Sequence, residues 1–327
     1  MTGTSPVVLV TSRSFSSGDV DARGQLEAVG ARVVTGPPDH DLDTLRPMLS
    51  TAVAWIAGTG PVTAAHLDAA PQLRLVARYG VGVDAVDLAA AARHNVVVTN
   101  TPGANSGAVA DHAVALILAA LRGVTSGDRR VRAGDWRVDR TRELGNSTVG
   151  IVGVGRIGRG VAARLAGFGS TVLGQDPWVP DSEMRSVGIE PASMEEIAAR
   201  SDIVSLHAPG EHTLIDAAWL ANAKPSLILV NTARANLVDE IALAQALTDG
   251  TVRAYAADTL SSQSGEATSP LLTEALADRT TFTPHSAAQT VEAVDSMSVG
   301  AVSAVLAVLG GDRPPNIVRP PSIEEMN

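Results

Sequence analysis

The chain has 327 residues, of which 45% are hydrophobic, 18% are charged and only 3% are aromatic. This length is sufficient for two globular domains, each with its own core. The formal net charge of −10 argues against nucleic acid as a partner, because no excess of cations is available to neutralise phosphates. The absence of cysteine excludes disulfides and thiolate metal sites, and we expect no metal site.

The N-terminal residues contain no basic segment followed by an apolar run, and no uninterrupted apolar stretch reaches about 18 residues. We therefore expect a cytoplasmic protein with no membrane partner.

Short apolar runs rich in β-branched residues alternate with Ala- and Leu-rich stretches. Such runs are typical of parallel strands that are buried on both faces and joined by helices. The first series is Val7–Val10, Arg32–Thr35, Val53–Ala57, Leu75–Ala77 and Val96–Thr99. The second series is Thr148–Val152, Thr171–Leu173, Ile203–Leu206, Leu227–Asn231, Ala254–Ala257 and Thr281–Thr283. The two series predict an α/β protein with two doubly wound parallel-sheet domains.

A long apolar helix is predicted at Val291–Leu309, before Gly310 and Gly311. We expect it to return the chain to the first domain, which is then discontinuous. The predicted domains are residues 1–102 with 286–327, and residues 103–285.

A glycine-rich turn follows the predicted strand Thr148–Val152 and precedes a helix-like stretch. In this context the pattern G-x-G-x-x-G predicts a dinucleotide site, where backbone N–H groups at the helix N-terminus meet the pyrophosphate. The residues of the turn are Gly153, Gly155, Arg156, Ile157 and Gly158. Asp176, about 20 residues further on, would accept hydrogen bonds from the adenosine ribose and repel a 2′-phosphate. The predicted cofactor is therefore NAD.

Two chemically active side chains follow later strands of the second series. Arg234 comes after Leu227–Asn231, and its guanidinium could bind a carboxylate in bidentate fashion. His285 comes after Thr281–Thr283, and imidazole carries protons near neutral pH. Together they predict oxidation or reduction of a small acid.

These motifs and several others resemble the D-isomer-specific 2-hydroxyacid dehydrogenase family over nearly the whole chain. The segments that carry the resemblance are Arg78–Asp84, Asn100–Gly103, Gly153–Gly158, Ser205–Pro209, Asn231–Arg234, Asp258 and Thr283–His285. The resemblance implies a Rossmann-type NAD-binding domain at 103–285 and a flavodoxin-like substrate domain in the rest of the chain. It also implies hydride transfer between NAD and a D-2-hydroxy acid or 2-oxo acid.

The resemblance assigns roles by position. Arg234 would bind the substrate carboxylate and carbonyl, and His285 would be the acid/base, next to the cofactor. Backbone N–H groups of Tyr79, Gly80, Val81 and Gly82 would contact the carboxylate, and Thr59 could help to select the substrate. Cofactor contacts are expected from His207, Ala208, Pro209, Thr232, Ala233 and Asp258.

One position departs from the family pattern. The Glu that usually partners the catalytic His is replaced by Gln263, although Glu266 could take its place if the loop bulges. Gln can orient an imidazole but cannot stabilise imidazolium as a carboxylate does, so we expect Gln263 to favour oxidation at neutral to alkaline pH. An alternative substrate is an unusual small acid, similar to formate, phosphite or a phosphonate.

Two further expectations concern partners. In the family, the Arg-rich segment around Trp136 lies at a dimer interface, which predicts a homodimer. A non-enzymatic NAD-sensing scaffold is the alternative of a different class. We expect four other histidines, His66, His94, His112 and His212, to be surface or packing residues.

Overall fold

The computed structural model describes residues 5–210, 212–264 and 268–319. Residue contacts divide the chain into two compact units. Unit 1 comprises the chain up to Asn105 and from Gln289 onward, and unit 2 extends from Ser106 to Ala288. The assignment of substrate binding to unit 1 stays a prediction.

Strands and helices alternate along most of the chain. The strands are β1 Val7–Val10, β2 Arg32–Thr35, β3 Ala52–Ala57, β4 Leu75–Arg78, β5 Val97–Thr99, β6 Thr148–Val152, β7 Thr171–Gln175, β8 Glu190–Pro191, β9 Ile203–Leu206, β10 Leu227–Asn231, β11 Val252–Ala257, β12 Thr280–Phe282 and β13 Ile317–Val318. The helices are α1 Ala22–Ala28, α2 Leu42–Leu49, α3 Ala64–Asp68, α4 Leu88–Arg93, α5 Ser106–Arg122, α6 Val124–Arg132, α7 Arg156–Ala166, α8 Asp181–Ser186, α9 Met194–Arg200, α10 Ala217–Ala221, α11 Glu240–Asp249 and α12 Val291–Gly310.

The sheet of unit 1 has the strand order β13-β5-β4-β3-β1-β2. Strands β1 to β5 pair in parallel, and their order is that of flavodoxin-like sheets. The edge strand β13 pairs antiparallel to β5, with Ile317 opposite Thr99. The sequence did not predict β13, because two residues carry no periodic signal.

The sheet of unit 2 has the order β12-β11-β10-β9-β6-β7-β8, and its strand pairs are parallel. Strand order reverses at β6, as in Rossmann-type nucleotide domains, so the predicted fold class is confirmed. Because the strands are parallel, their carboxyl ends share one edge of the sheet. Gly153, Asp176, His207, Arg234, Asp258 and His285 all follow strands at this edge.

Helix α12 forms part of the core of unit 1. Thr290 caps its N-terminus by accepting a hydrogen bond from the Ala293 N–H, and Gly311 ends it with φ of +87°. By length and composition this helix could cross a membrane, and the bent pair α5–α6 passes the same test. Half of the apolar window in α12 is buried inside the structure, and its buried side chains include Met297 and Val305. Packing in unit 1 thus accounts for its apolar composition.

A buried polar cluster joins β1, β3 and the segments around them in unit 1. Thr11 Oγ1 accepts hydrogen bonds from Trp55 Nε1 at 2.9 Å and from the Gly58 N–H at 3.2 Å, and lies 2.6 Å from His40 Nε2. The Thr11 hydroxyl proton therefore points to His40 Nε2, which leaves the proton of the neutral imidazole on Nδ1, 3.0 Å from the Pro61 oxygen. His40 is thus neutral, and it anchors the segment that follows β3.

We predict that the His40 cluster makes unit 1 less stable in acid. Burial lowers the pKa of His40 to about 4, from 6.5. In the unfolded chain His40 therefore binds a proton near pH 6.5, whereas in the folded chain it does so only near pH 4. The free energy of unfolding falls as the pH drops through this interval. The full effect is about 3 kcal/mol, at about 1.4 kcal/mol per pH unit.

Urea unfolding between pH 5 and pH 7.5 measures this effect. We expect His40→Asn, which tolerates the φ of +61° at this position, to flatten the pH dependence. His94→Asn is the control, because hydrogen bonds to Ala90 and Asp68 raise the pKa of His94 and its contribution has the opposite sign. Equal slopes for wild type and His40→Asn would contradict the assignment.

Candidate active site

The glycine turn of unit 2 brings backbone into contact with backbone. Gly153 has φ of +92°, and a Cβ there would lie 2.6 Å from the Ala208 nitrogen. A Cβ on Gly158 would lie 2.1 Å from the Gly153 oxygen. A Cβ on Gly155, by contrast, would meet nothing within 4 Å. Gly155 is the N-cap of α7, so the open space lies where helix N–H groups face outward and can hold a pyrophosphate.

Asp176 follows β7 and supports this turn directly. Its Oδ2 accepts from the Val154 N–H at 2.8 Å, and its Oδ1 accepts from the Trp178 N–H at 2.9 Å. A carboxylate has about four acceptor positions, so both oxygens can still accept from ribose hydroxyls. The turn and Asp176 therefore fit a dinucleotide. Arg156 is exposed at the start of α7, and Ile157 is partly buried behind it.

Arg234 is positioned by the turn after β10. Asn231 is fully buried, its Oδ1 accepts from the Ala233 N–H at 2.9 Å, and its Nδ2 donates to the Arg234 oxygen at 2.8 Å. The Arg234 guanidinium donates to the Ala233 oxygen at 2.9 Å. Thr232 and Ala233, which form this turn, are buried.

The segment after β9 packs against Arg234. A Cβ on Gly210 would lie 2.6 Å from Arg234 Cγ and 2.7 Å from its Cβ, and Asn236 Nδ2 donates to the Gly210 oxygen. The contacted atoms are close to the Arg234 backbone and cannot swing away, so Gly210 is needed here. The sequence carries no signal for this role, because it depends on a close approach between two loops.

His207 lies at the start of the same segment. Its Nε2 is 2.9 Å from Ser205 Oγ, and its Nδ1 is 3.5 Å from Thr232 Oγ1. Desolvation lowers the pKa of His207 to about 4, so the ring is neutral at pH 7. Ala208 is partly buried and Pro209 is exposed. These properties suit a wall of the cofactor cleft, which remains a prediction.

Asp258 holds the loop that carries His285. The carboxylate is almost fully buried and accepts from Thr283 Oγ1 at 2.5 Å, from the Ser286 N–H at 2.8 Å and from the Ala287 N–H at 2.9 Å. His285 has φ of +53°, a conformation that side-chain-bearing residues rarely adopt and that the surrounding structure must enforce. Bonds on both sides of His285 thus fix its backbone. Contact between Asp258 and the cofactor stays a prediction.

Gln263 lies in a short 3-10 helix, Ser261–Ser264. Buried Glu240 anchors this helix, because its carboxylate accepts from the Ser261 N–H at 2.8 Å and from Ser261 Oγ at 2.6 Å. The alternative partner of His285, Glu266, lies outside the described residues.

The substrate loop predicted at Tyr79–Gly82 belongs to unit 1. The Tyr79 ring is buried, and its hydroxyl lies 2.9 Å from the Val294 oxygen and 3.0 Å from Ser298 Oγ. The Tyr79 N–H donates to the Ala57 oxygen at 2.9 Å, and the Gly80 N–H donates to Thr101 Oγ1 at 3.1 Å.

These bonds occupy two of the N–H groups that the sequence assigned to substrate. Within the described residues, the N–H groups of Val81 and Gly82 donate to no protein acceptor, and their contact with the substrate stays a prediction. Thr59 follows β3 and is exposed.

The two sheets, the glycine turn and Asp176 define a dinucleotide-binding α/β protein. Residues 114–287 match the profile described as "D-isomer specific 2-hydroxyacid dehydrogenase, NAD binding domain". The chain belongs to the D-isomer-specific 2-hydroxyacid dehydrogenase family, as predicted, and residues 114–287, which lie within unit 2, match the NAD-binding domain of that family.

The chain is also similar to several individual dehydrogenases and reductases. The chain is 39% identical over 320 residues to D-3-phosphoglycerate dehydrogenase of Mycobacterium leprae, covering 96% of this chain but only 58% of that relative. It is 36% identical over 282 residues to glyoxylate reductase of Korarchaeum cryptofilum, covering 81% and 84% of the two chains. D-lactate dehydrogenase from Aquifex aeolicus, solved with NAD and lactic acid, superposes with a TM-score of 0.84 at 26% identity, covering 97% and 100%.

We predict that two glycines of the turn fail in different ways when they are replaced. Gly155→Ala fills open space, so it should leave the melting temperature within about 2 °C while weakening NAD binding at least about tenfold, because the Cβ occupies the pyrophosphate position. Gly158→Ala forces backbone apart and should cost about 2 kcal/mol of stability. Calorimetric titration with NAD and thermal unfolding measure both effects. Undiminished NAD binding by a folded Gly155→Ala variant would show that the cofactor lies elsewhere.

Proposed function

We propose that the protein is an NAD-dependent dehydrogenase that interconverts a D-2-hydroxy acid and the corresponding 2-oxo acid. The observation that carries the proposal is the order of side chains after three adjacent strands. Arg234 follows β10, Asp258 follows β11 and His285 follows β12, at the edge where the nucleotide turn also lies. An anion-binding group, a buried carboxylate and a proton carrier thus share one edge with the cofactor site.

The residues divide the chemistry between them. NAD, when bound, supplies the acceptor for the hydride that leaves the substrate carbon. The Arg234 guanidinium binds the substrate carboxylate in a planar, two-point contact and fixes which face of the substrate is presented. The His285 imidazole accepts the proton of the substrate hydroxyl during oxidation and returns it during reduction.

Turnover of a substrate panel tests the proposal. The panel contains D- and L-lactate, D- and L-glycerate, 3-phospho-D-glycerate, formate and phosphite, each with NAD and with NADP. We expect NADH to form with a D-2-hydroxy acid. His285→Ala should lower kcat by about a hundredfold or more, and Arg234→Ala should lower kcat/KM by about a hundredfold. Arg46→Ala and His94→Ala, at exposed positions of unit 1, are matched controls and should retain activity.

Other outcomes of the panel separate the alternatives. Turnover of formate or phosphite in place of every hydroxy acid would favour the unusual-acid alternative. Tight NAD binding without turnover of any compound would contradict an enzyme and favour an NAD-sensing scaffold.

We also propose that the protein is a homodimer in the cytoplasm, joined through the segment from α6 to Val138. Helix α6 has no buried residue, and the segment exposes large apolar side chains. The exposed fractions are 59% for Val124, 44% for Val131, 75% for Trp136 and 93% for Val138. Apolar side chains concentrated in one segment are typical of an interface, and the family resemblance predicts a second copy of this chain as the partner.

We predict that charge in this segment separates the dimer. Trp136→Asp combined with Val138→Asp should shift the mass measured by light scattering from two chains to one, because buried, unpaired carboxylates are costly in an interface. Trp178→Asp, which alters a tryptophan of similar exposure (73%), is the control and should stay dimeric. A wild-type protein that is monomeric at about 50 µM would contradict the proposal.

A further inference from the structure

His112 lies on α5 and reaches the loop that carries His285. Its Nε2 is 2.9 Å from Thr283 Oγ1 and 3.6 Å from Asp258 Oδ1, and its side chain is only 23% exposed. The sequence offered no reason to single out His112, which was expected to be a surface or packing residue.

The hydrogen-bond donors in this cluster follow from chemistry. Ionised Asp258 can only accept, so the 2.5 Å contact requires the Thr283 hydroxyl proton to point at Asp258 Oδ1. Thr283 Oγ1 is then an acceptor toward His112, and Nε2 of His112 must carry a proton. The result is a series of hydrogen bonds from His112 through Thr283 to Asp258. Each group in the series orients the next one.

Asp258 also accepts hydrogen bonds from the backbone of the loop that carries His285. The N–H groups of Ser286 and Ala287 donate to its two oxygens, directly after His285. The His285 N–H donates to the Thr283 oxygen at 3.0 Å, which closes a tight turn at the left-handed residue. Rotation of Thr283 would remove one of the two hydrogen bonds to Asp258 Oδ1 and so loosen the loop on both sides of His285.

We propose that His112 is a positioning residue for catalysis, which fixes the backbone at His285 through Thr283 and Asp258. The inference rests on the proposed role of His285 as the acid/base. His112 itself does not touch the reacting atoms, and it acts by holding the hydroxyl of Thr283 in the one orientation that donates to Asp258. A well-placed imidazole is worth more to kcat than to substrate binding, because a small misplacement slows proton transfer steeply.

The test compares His112→Leu, which has similar size and no donor, with His112→Gln, whose amide N–H can replace Nε2. In His112→Leu we expect amide hydrogen exchange at Ser286 and Ala287 to accelerate at least about fivefold. We also expect kcat to fall about tenfold, with KM and the Kd for NAD changing less than about twofold. His112→Gln should restore slow exchange and most of kcat. His94→Leu, which removes another histidine–carboxylate contact, should change none of these quantities.

A second variant keeps the test decisive if His112→Leu does not fold. Thr283→Val removes the hydroxyl at nearly constant volume and should give the same exchange and kcat signature. The double variant should show the same exchange rates and kcat as Thr283→Val alone, because both changes interrupt the same series of hydrogen bonds. Normal exchange at Ser286 and Ala287 in a folded His112→Leu variant would overturn the inference.

The exchange measurement needs neither substrate nor NAD. If the wild-type protein oxidises no hydroxy acid, the proposed function fails while the effect of His112 on the loop can still be read. If the wild type is active and His112→Leu retains full kcat, only the positioning role fails.

Discussion

The site of unit 2 depends on one constraint, the parallel pairing of β10, β11 and β12. Parallel strands end at the same edge of a sheet, so residues that are far apart in sequence are delivered to one place. Arg234 and His285 are separated by fifty-one residues in the chain, yet each lies three residues beyond the end of its strand. The sheet therefore sets the approximate location of the chemistry, and the loops only need to set its orientation.

The buried charge of Asp258 sets the orientation of the loop that carries His285. An isolated buried carboxylate would be very unstable, and three hydrogen bonds from the His285 loop compensate for the lost hydration. The same bonds hold His285 in a left-handed conformation that costs about 1 to 3 kcal/mol by itself. The Asp258 carboxylate and the His285 loop therefore stabilise each other. Asp258 therefore has a structural role, because it stabilises the loop that carries His285.

The sequence predicted the architecture and the chemistry-bearing residues because both leave local signals. Apolar runs marked most strands, and the glycine pattern in a strand–turn–helix context marked the nucleotide turn. The two-residue strands β8 and β13 left no such signal. Contacts between distant side chains were also invisible. Tyr79 was expected to offer its backbone N–H to the substrate carboxylate, and in the structure that N–H donates to the Ala57 oxygen while the hydroxyl bonds to Val294 and Ser298 on α12.

The histidines show most clearly what the sequence alone could not predict. His40, His66 and His112 look alike as isolated polar residues, yet their side chains have different hydrogen-bond partners. His66 is buried, pairs with Thr63 at the start of α3 and places its Nε2 2.8 Å from the His40 oxygen. Partners 26 and 171 residues away decide these roles. No window along the chain contains that information, which exists only once the sheets have formed.

The short loop after β9 shows how packing can shape binding without touching a ligand. Gly210 lies against the Arg234 stem with no space for a Cβ, and Asn236 ties the Gly210 oxygen to the turn that carries Arg234. An arginine side chain normally loses about 2 kcal/mol of rotamer freedom when it is fixed. Here the contacts restrict the stem before any acid arrives, so part of that entropy is lost during folding. Binding then begins from a guanidinium with fewer conformations, which favours a small carboxylate that requires one defined orientation.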